Sequence, residues 1–288
     1  MVKVIDRYTN STNRFVIICD ASPPRGPILM EAAELRELTP DFLSVAYNPG
    51  LATRANPVAV AATVRQKTGQ EVVFTLATRD MNKLALQGVL LGAQMLGLEN
   101  LTVVAGDPFA KLDSRMPKAV NDYTPTELLH SITELNQGVD YRGLKLHSPT
   151  DLCIGATADL ARGIDRESRL AARKIEAGAQ FLITQPIFDV ADAARFLEAY
   201  SQTTGGPLPV PIFWGLQVLV QGGVSLAEVP SRVAGDLAAG RPGVELALEL
   251  LEGFRSVGIR GVYLIPPILR GGTRDYGSAA HVLARVRK

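Results

Sequence analysis

Gln180-Phe181-Leu182-Ile183-Thr184-Gln185-Pro186-Ile187-Phe188-Asp189 is an apolar run that ends abruptly in an amide. Phe181, Leu182 and Ile183 supply the unbroken apolarity of a parallel strand covered on both faces, and Thr184 and Gln185 open the loop that follows. Pro186 has no N–H to offer a neighbouring strand, so the ladder is expected to stop there. A buried strand that carries an amide to its C-terminal tip reads as one wall of a binding site.

Working outward, the same kind of run recurs at Phe15–Cys19, Phe42–Tyr47, Val72–Ala77, Leu101–Val104, Leu152–Gly155, Ile212–Leu216 and Gly261–Ile265, which with Phe181–Thr184 makes eight strands. Helical periods lie between them at Pro57–Lys67, Asn82–Leu96, Pro125–Gln137, Arg166–Ala177, Val190–Gln202, Leu226–Ala239 and Val244–Val257. Thr124-Pro125-Thr126-Glu127 combines an N-cap, a proline at the first helical position and a capping-box glutamate, and Ser225-Leu226-Ala227-Glu228 repeats the box. Gly69, Gly97, Gly138 and Gly178 fall where helices should stop. Eight alternating units predict a single-domain (βα)8 barrel over residues 1–288, with an open doubly wound sheet as the structural alternative. The loops 106–123 and 200–211 are too short to separate two cores, and the first reads as a candidate lid.

Composition limits the partners. The 30 basic and 29 acidic side chains almost cancel, so no field exists to hold a nucleic-acid backbone or an anionic membrane, and a small molecule is favoured. Met1 to Asn13 lacks the apolar core of a signal peptide, and no stretch reaches the roughly 20 apolar residues of a spanning helix. Cys19 and Cys153 sit inside apolar runs and read as buried small hydrophobes, so a cytoplasmic protein is expected. Barrel helices can pair through faces that read as ordinary surface, which leaves a homo-oligomer open.

In a barrel, chemistry gathers at the C-terminal strand tips. In chain order these carry Asp20, Tyr47 and Asn48, Thr78-Arg79-Asp80, Asp107, Thr157 and Asp159, Gln185, Gln217 and Arg270. Asp20 and Asp107 with the amide of Gln185 suit a polar heterocycle with N–H donors and a site that moves one proton. Singly, each is as well explained by a turn or a cap: Asp20 precedes Pro23-Pro24, Asp80 precedes a helix and Asp107-Pro108 opens a turn. Convergence on one rim is the argument for function. His130, His147 and His281 lie far apart with no ligand spacing, so no metal is proposed. Gly222-Gly223 and Gly271-Gly272 match neither a dinucleotide nor a P-loop spacing, and no serine has the partners of a nucleophilic triad.

Several stretches together resemble the methylenetetrahydrofolate reductase family. Asp20-Ala21-Ser22-Pro23-Pro24-Arg25 is similar to its acidic-x-x-Pro-Pro-Arg start, and Phe42 to Tyr47 to its second strand. Thr78-Arg79-Asp80-Met81-Asn82 to Leu91-Gly92-Ala93, then Gly97 and Gly106-Asp107, resembles the third and fourth units. The most specific stretch runs from Arg173-Lys174 through Ala177-Gly178-Ala179 to Thr184-Gln185-Pro186-Ile187-Phe188-Asp189. The resemblance implies a (βα)8 barrel that holds FAD at its mouth, takes hydride from NADH or NADPH and reduces 5,10-methylenetetrahydrofolate to 5-methyltetrahydrofolate.

By position, the resemblance makes Asp20 the general acid that protonates N10, where the family has a glutamate one methylene longer. Asp107 becomes an acid near flavin and pterin, and Gln185 a pterin ligand, with Tyr47 and Gln217 on the same substrate side. The implied flavin positions are Ala46, Thr75, Ala105, Gly106, Asp107, Glu167 and Lys174. Ala46 replaces a threonine, Thr75 a histidine and Ala105 an arginine, which removes polar contacts to FAD. Three other readings therefore stand beside the flavoenzyme. One is a flavin-free reductase taking hydride directly from a nicotinamide or deazaflavin. Another is a folate barrel that transfers or removes a methyl group with a corrinoid or partner protein. The last is a non-catalytic folate-binding subunit.

Overall fold

Short apolar strands cannot bury themselves, and here they bury one another by pairing side by side until the last meets the first. The computed structural model describes residues 2–109, 115 and 117–286. Strands β1 (Val16–Ala21), β2 (Phe42–Val45), β3 (Val72–Ala77), β4 (Asn100–Val104), β5 (Cys153–Ala158), β6 (Phe181–Pro186), β7 (Ile212–Gln217) and β8 (Gly261–Ile265) form a closed parallel barrel in chain order. The expected (βα)8 barrel is what forms, and the open sheet is set aside by the pairing of β8 with β1.

Around it run α2 (Ala32–Glu37), α3 (Pro57–Thr68), α4 (Lys83–Met95), α5 (Pro125–Asn136), α6 (Ile164–Glu176), α7 (Val190–Thr204), α8 (Ser231–Ala238), α9 (Gly243–Ser256) and α10 (Tyr276–Val286). A further helix, α1 (Val4–Thr9), closes the N-terminal end of the barrel. The Val4 amide donates to Asn100 Oδ1, and Asn100 Nδ2 donates back to the Val2 carbonyl. The polar stretch that opens the chain is thus a plug, a role its composition did not announce. No helix among the described residues is long and apolar enough to cross a membrane.

Alternation along each strand divides the apolar residues into two cores. On β1, Ile17, Cys19 and Ala21 face the helices, while Val16 and Ile18 face inward and meet Phe42, Val73, Cys153, Phe181 and Phe213. Phe42, Phe181 and Phe213 are each fully buried, and each contributes about 1.5–3 kcal/mol by leaving water. Both cysteines are free and buried, and burial pushes the Cys153 thiol up to about 11.

Gly155 is what lets Phe181 fill the barrel. A Cβ on Gly155 would stand 2.3 Å from Cε2 and Cζ of that ring. Gly155→Ala is expected to cost about 1–3 kcal/mol by overpacking, read as a lower denaturant midpoint at unchanged slope. An unchanged midpoint would mean the ring has somewhere else to go.

Two expectations need correction. Strand β6 does not stop before Pro186, which pairs with Gly215 after a register shift between Ile183 and Pro186. The missing N–H falls at an irregularity where the Thr184 hydroxyl, not a backbone carbonyl, accepts from the Gly215 amide at 2.8 Å. The strand can continue because a bulge tolerates the lost donor. The helix expected at Leu226–Ala239 is only Ser231–Ala238, and the Ser225 box caps nothing. Pro230 holds the extended conformation there (φ −59°, ψ 145°) and disfavours helix in the residue before it. The box at Thr124 does form, with both hydrogen bonds in place.

Candidate functional site

The inward face changes character toward the C-terminal tips. Above the phenylalanine layer, Asp20, Ser44, Thr75, Thr102, Thr157 and Tyr263 line a cavity of about 730 Å³ that opens at the mouth. Ala46, Tyr47, Ala105, Gly106, Asp107, Glu167, Lys174 and Gln185 line it too, so ten of the expected site positions share one space once Asp20 and Thr75 are counted. The β6 irregularity sits directly beside Gln185, and an added Cβ on Gly215 would lie 2.6 Å from the Gln185 carbonyl. The bulge and that close approach set where the exposed Gln185 amide is carried.

Gln217 is the exception. It is buried, its Nε2 donates to the Val224 carbonyl at 2.8 Å and its Oε1 accepts from the Leu226 amide at 2.9 Å. Both ends of the amide are spent on the loop after β7, and the side chain lines a smaller cavity of about 330 Å³ between α7, α8 and α9. Sequence position put it on a strand tip, and alternation gives it the inward parity of Phe213, but the loop after β7 takes up its amide and keeps it from the main cavity. Arg270, the expected polar tip of β8, donates to the Gly222 carbonyl.

Asp20 is enclosed. Only 4 % exposed, it accepts from Tyr263 Oη on Oδ1 at 3.0 Å and from Arg274 Nε on Oδ2 at 2.8 Å. Burial disfavours the charged form of Arg274, but Asp20 outweighs it and raises the guanidinium further. Burial and the neighbouring Asp20 charge push Tyr263 well above the ordinary phenol value, so its hydroxyl keeps its proton and donates. Neither partner was legible beforehand. Tyr263 reads as a core aromatic inside an apolar strand, and Arg274 reaches the rim through a turn in which Gly271 and Gly272 have φ of 91° and 86°.

The wall made by α6 is basic. Lys174 is buried and donates to the Thr157 carbonyl at 2.5 Å, and burial lowers its pKa against the pull of Glu167. Glu167 Oε2 accepts from the Asp159 amide at 3.1 Å. Arg173, on the same cavity, makes no ion pair among the described residues. Opposite, Arg79 is turned away from solvent, donating through Nε and Nη2 to Asp80 and through Nη1 to the Asp107 carbonyl at 2.6 Å. That contact anchors the backbone beneath the exposed Asp107 carboxylate. The Thr102 hydroxyl, buried in the wall of the cavity, has no hydrogen-bond partner among the described residues. The lid expected over 106–123 falls partly on residues 110–114 and 116, which lie outside the described residues.

With this geometry in place, residues 7–222 match the methylenetetrahydrofolate reductase family. The chain belongs to that family. The match ends before β8, so Tyr263 and Arg274 lie outside the matched part of this family member. Among solved structures, an uncharacterized protein from Clostridium thermocellum that binds two copies of 5-methyl-5,6,7,8-tetrahydrofolic acid is similar over 99 % of both chains, at 14 % identity and a TM-score of 0.67. Oxaloacetate acetylhydrolase in complex with 3,3-difluorooxalacetate is similar over 88 % of this chain and 75 % of its own, at 10 % identity and a TM-score of 0.54. At these identities the likeness is one of fold. Among the described residues no group of three His, Cys, Asp or Glu side chains could hold a metal ion.

Proposed function

We propose that the chain interconverts 5,10-methylenetetrahydrofolate and 5-methyltetrahydrofolate, with NADH or NADPH as the hydride partner. The observation that carries this reading is the meeting of Asp20, Asp107 and Gln185 on one cavity of about 730 Å³, within the usual range for a small-molecule site. Gln185 offers both a donor and an acceptor to the amide-like edge of a pterin, and the Asp107 carboxylate accepts from its N–H groups. Asp20 holds or releases the proton of N10 as the five-membered ring opens or closes. Family membership and a structural neighbour that binds 5-methyltetrahydrofolic acid support the folate class.

FAD is part of the proposal in its fuller form. On the α6 side Arg173 and Lys174 fit the diphosphate of a dinucleotide. On the other, Ala46 and Ala105 offer an isoalloxazine only methyl groups and Thr75 a hydroxyl. Bound FAD would relay a hydride between the nicotinamide and the folate carbon. Those two methyl groups favour a second reading, in which the nicotinamide exchanges hydride with the folate directly.

The visible spectrum of the purified protein and its NADH-linked turnover test these readings together. A yellow protein, bleached by NADH and reoxidised by methylenetetrahydrofolate, is the flavoenzyme. Colourless protein with the same turnover is the direct enzyme. Absence of nicotinamide oxidation alongside methyl transfer, or folate binding with no reaction, rejects both.

A further inference from the structure

The partners of Asp20 decide what it can offer a ligand. A guanidinium only donates, and the Tyr263 hydroxyl is directed at Oδ1, so both oxygens of Asp20 are already acceptors in an ion pair. Two of roughly four lone-pair sites are taken, and what Asp20 presents to the cavity is further acceptor capacity and no hydrogen. The ring fixes this arrangement from two sides, since Tyr263 rises from β8, which pairs with β1, and Arg274 Nη1 donates to the Gly272 carbonyl at 3.2 Å. Tyr276 adds to the rigidity by accepting from the Ser22 amide at 3.2 Å, just past Asp20.

We propose that this clamp makes the mouth selective for ring-open tetrahydrofolates that carry a hydrogen on N10, over folates bridged or substituted at N10. The inference rests on the reading above in one respect, that N10 lies against Asp20. A ring-open folate gives the carboxylate an N–H to accept, a charge-assisted hydrogen bond. A 5,10-bridged or N10-substituted folate gives it only a lone pair or a carbonyl, and the carboxylate is then desolvated without a partner. The raised pKa values of Tyr263 and Arg274 agree with two donors that keep their protons.

The test is calorimetric binding to the full chain with two isomers of equal size and charge, 5-formyltetrahydrofolate, which bears N10–H, and 10-formyltetrahydrofolate, which does not. The 5-formyl isomer is expected to bind about tenfold or more tightly, as is 5-methyltetrahydrofolate relative to the 5,10-methylene form. Asp20→Asn presents an amide that can donate as well as accept, and should bring the two isomers within about threefold. Equal or tighter binding of the 10-formyl isomer to the unaltered protein overturns the proposal, even if Asp20→Asn fails to fold. So does an undiminished preference in a folded Asp20→Asn protein. If neither isomer binds, the folate reading itself fails, a result distinct from equal binding.

Discussion

Asp20→Asn is expected to lower NADH-linked turnover by about 10²- to 10⁴-fold, the usual worth of a positioned acid–base group. Asparagine keeps the volume and the acceptor that faces Tyr263, but it cannot take up or release the N10 proton. The loss should appear mainly in kcat, because Asp107 and Gln185 remain to hold the pterin, and KM should move far less. Steady-state kinetics on protein shown to be folded by circular dichroism measures both quantities. Turnover within a few-fold of the unaltered protein would reduce Asp20 to one half of a buried structural ion pair with Arg274.

The second large effect falls on stability. Arg274→Met should destabilise the fold by about 3–5 kcal/mol, because it leaves the Asp20 carboxylate buried without its counter-charge. The pair is 5–6 % exposed at its side chains, where water cannot compensate the loss as it would for a surface ion pair. Asp20→Asn combined with Arg274→Met should recover most of that cost, since no buried charge is then unmatched. Urea unfolding of the three variants at neutral pH closes the cycle. If Arg274→Met costs less than about 1 kcal/mol, the two side chains are not a buried pair, and the selectivity argued from their contact loses its basis.

Much of this protein was legible from residue types in order. The eight strands, the alternation of helices and the cap at Thr124 follow from local periodicity and turn chemistry, which act over a few residues. So does the list of polar tips, because a strand's end is a local property. The Asp20, Asp107 and Gln185 positions that share the cavity were each visible in this way. Errors arose where one local signal met a stronger one, as with the Ser225 box ahead of Pro230.

What the sequence by itself determined was therefore the set of strands, their alternation with helices and most residues of the rim, while the pairing of β8 with β1 closed the barrel. Only the tertiary structure decided how each polar tip is used, so that Gln217 serves a neighbouring loop while Gln185 lines the cavity. It alone brought Tyr263 and Arg274 to Asp20, contacts that span 243 and 254 residues of chain. Periodicity cannot register such pairs, because the first and last strands become neighbours only when the ring closes.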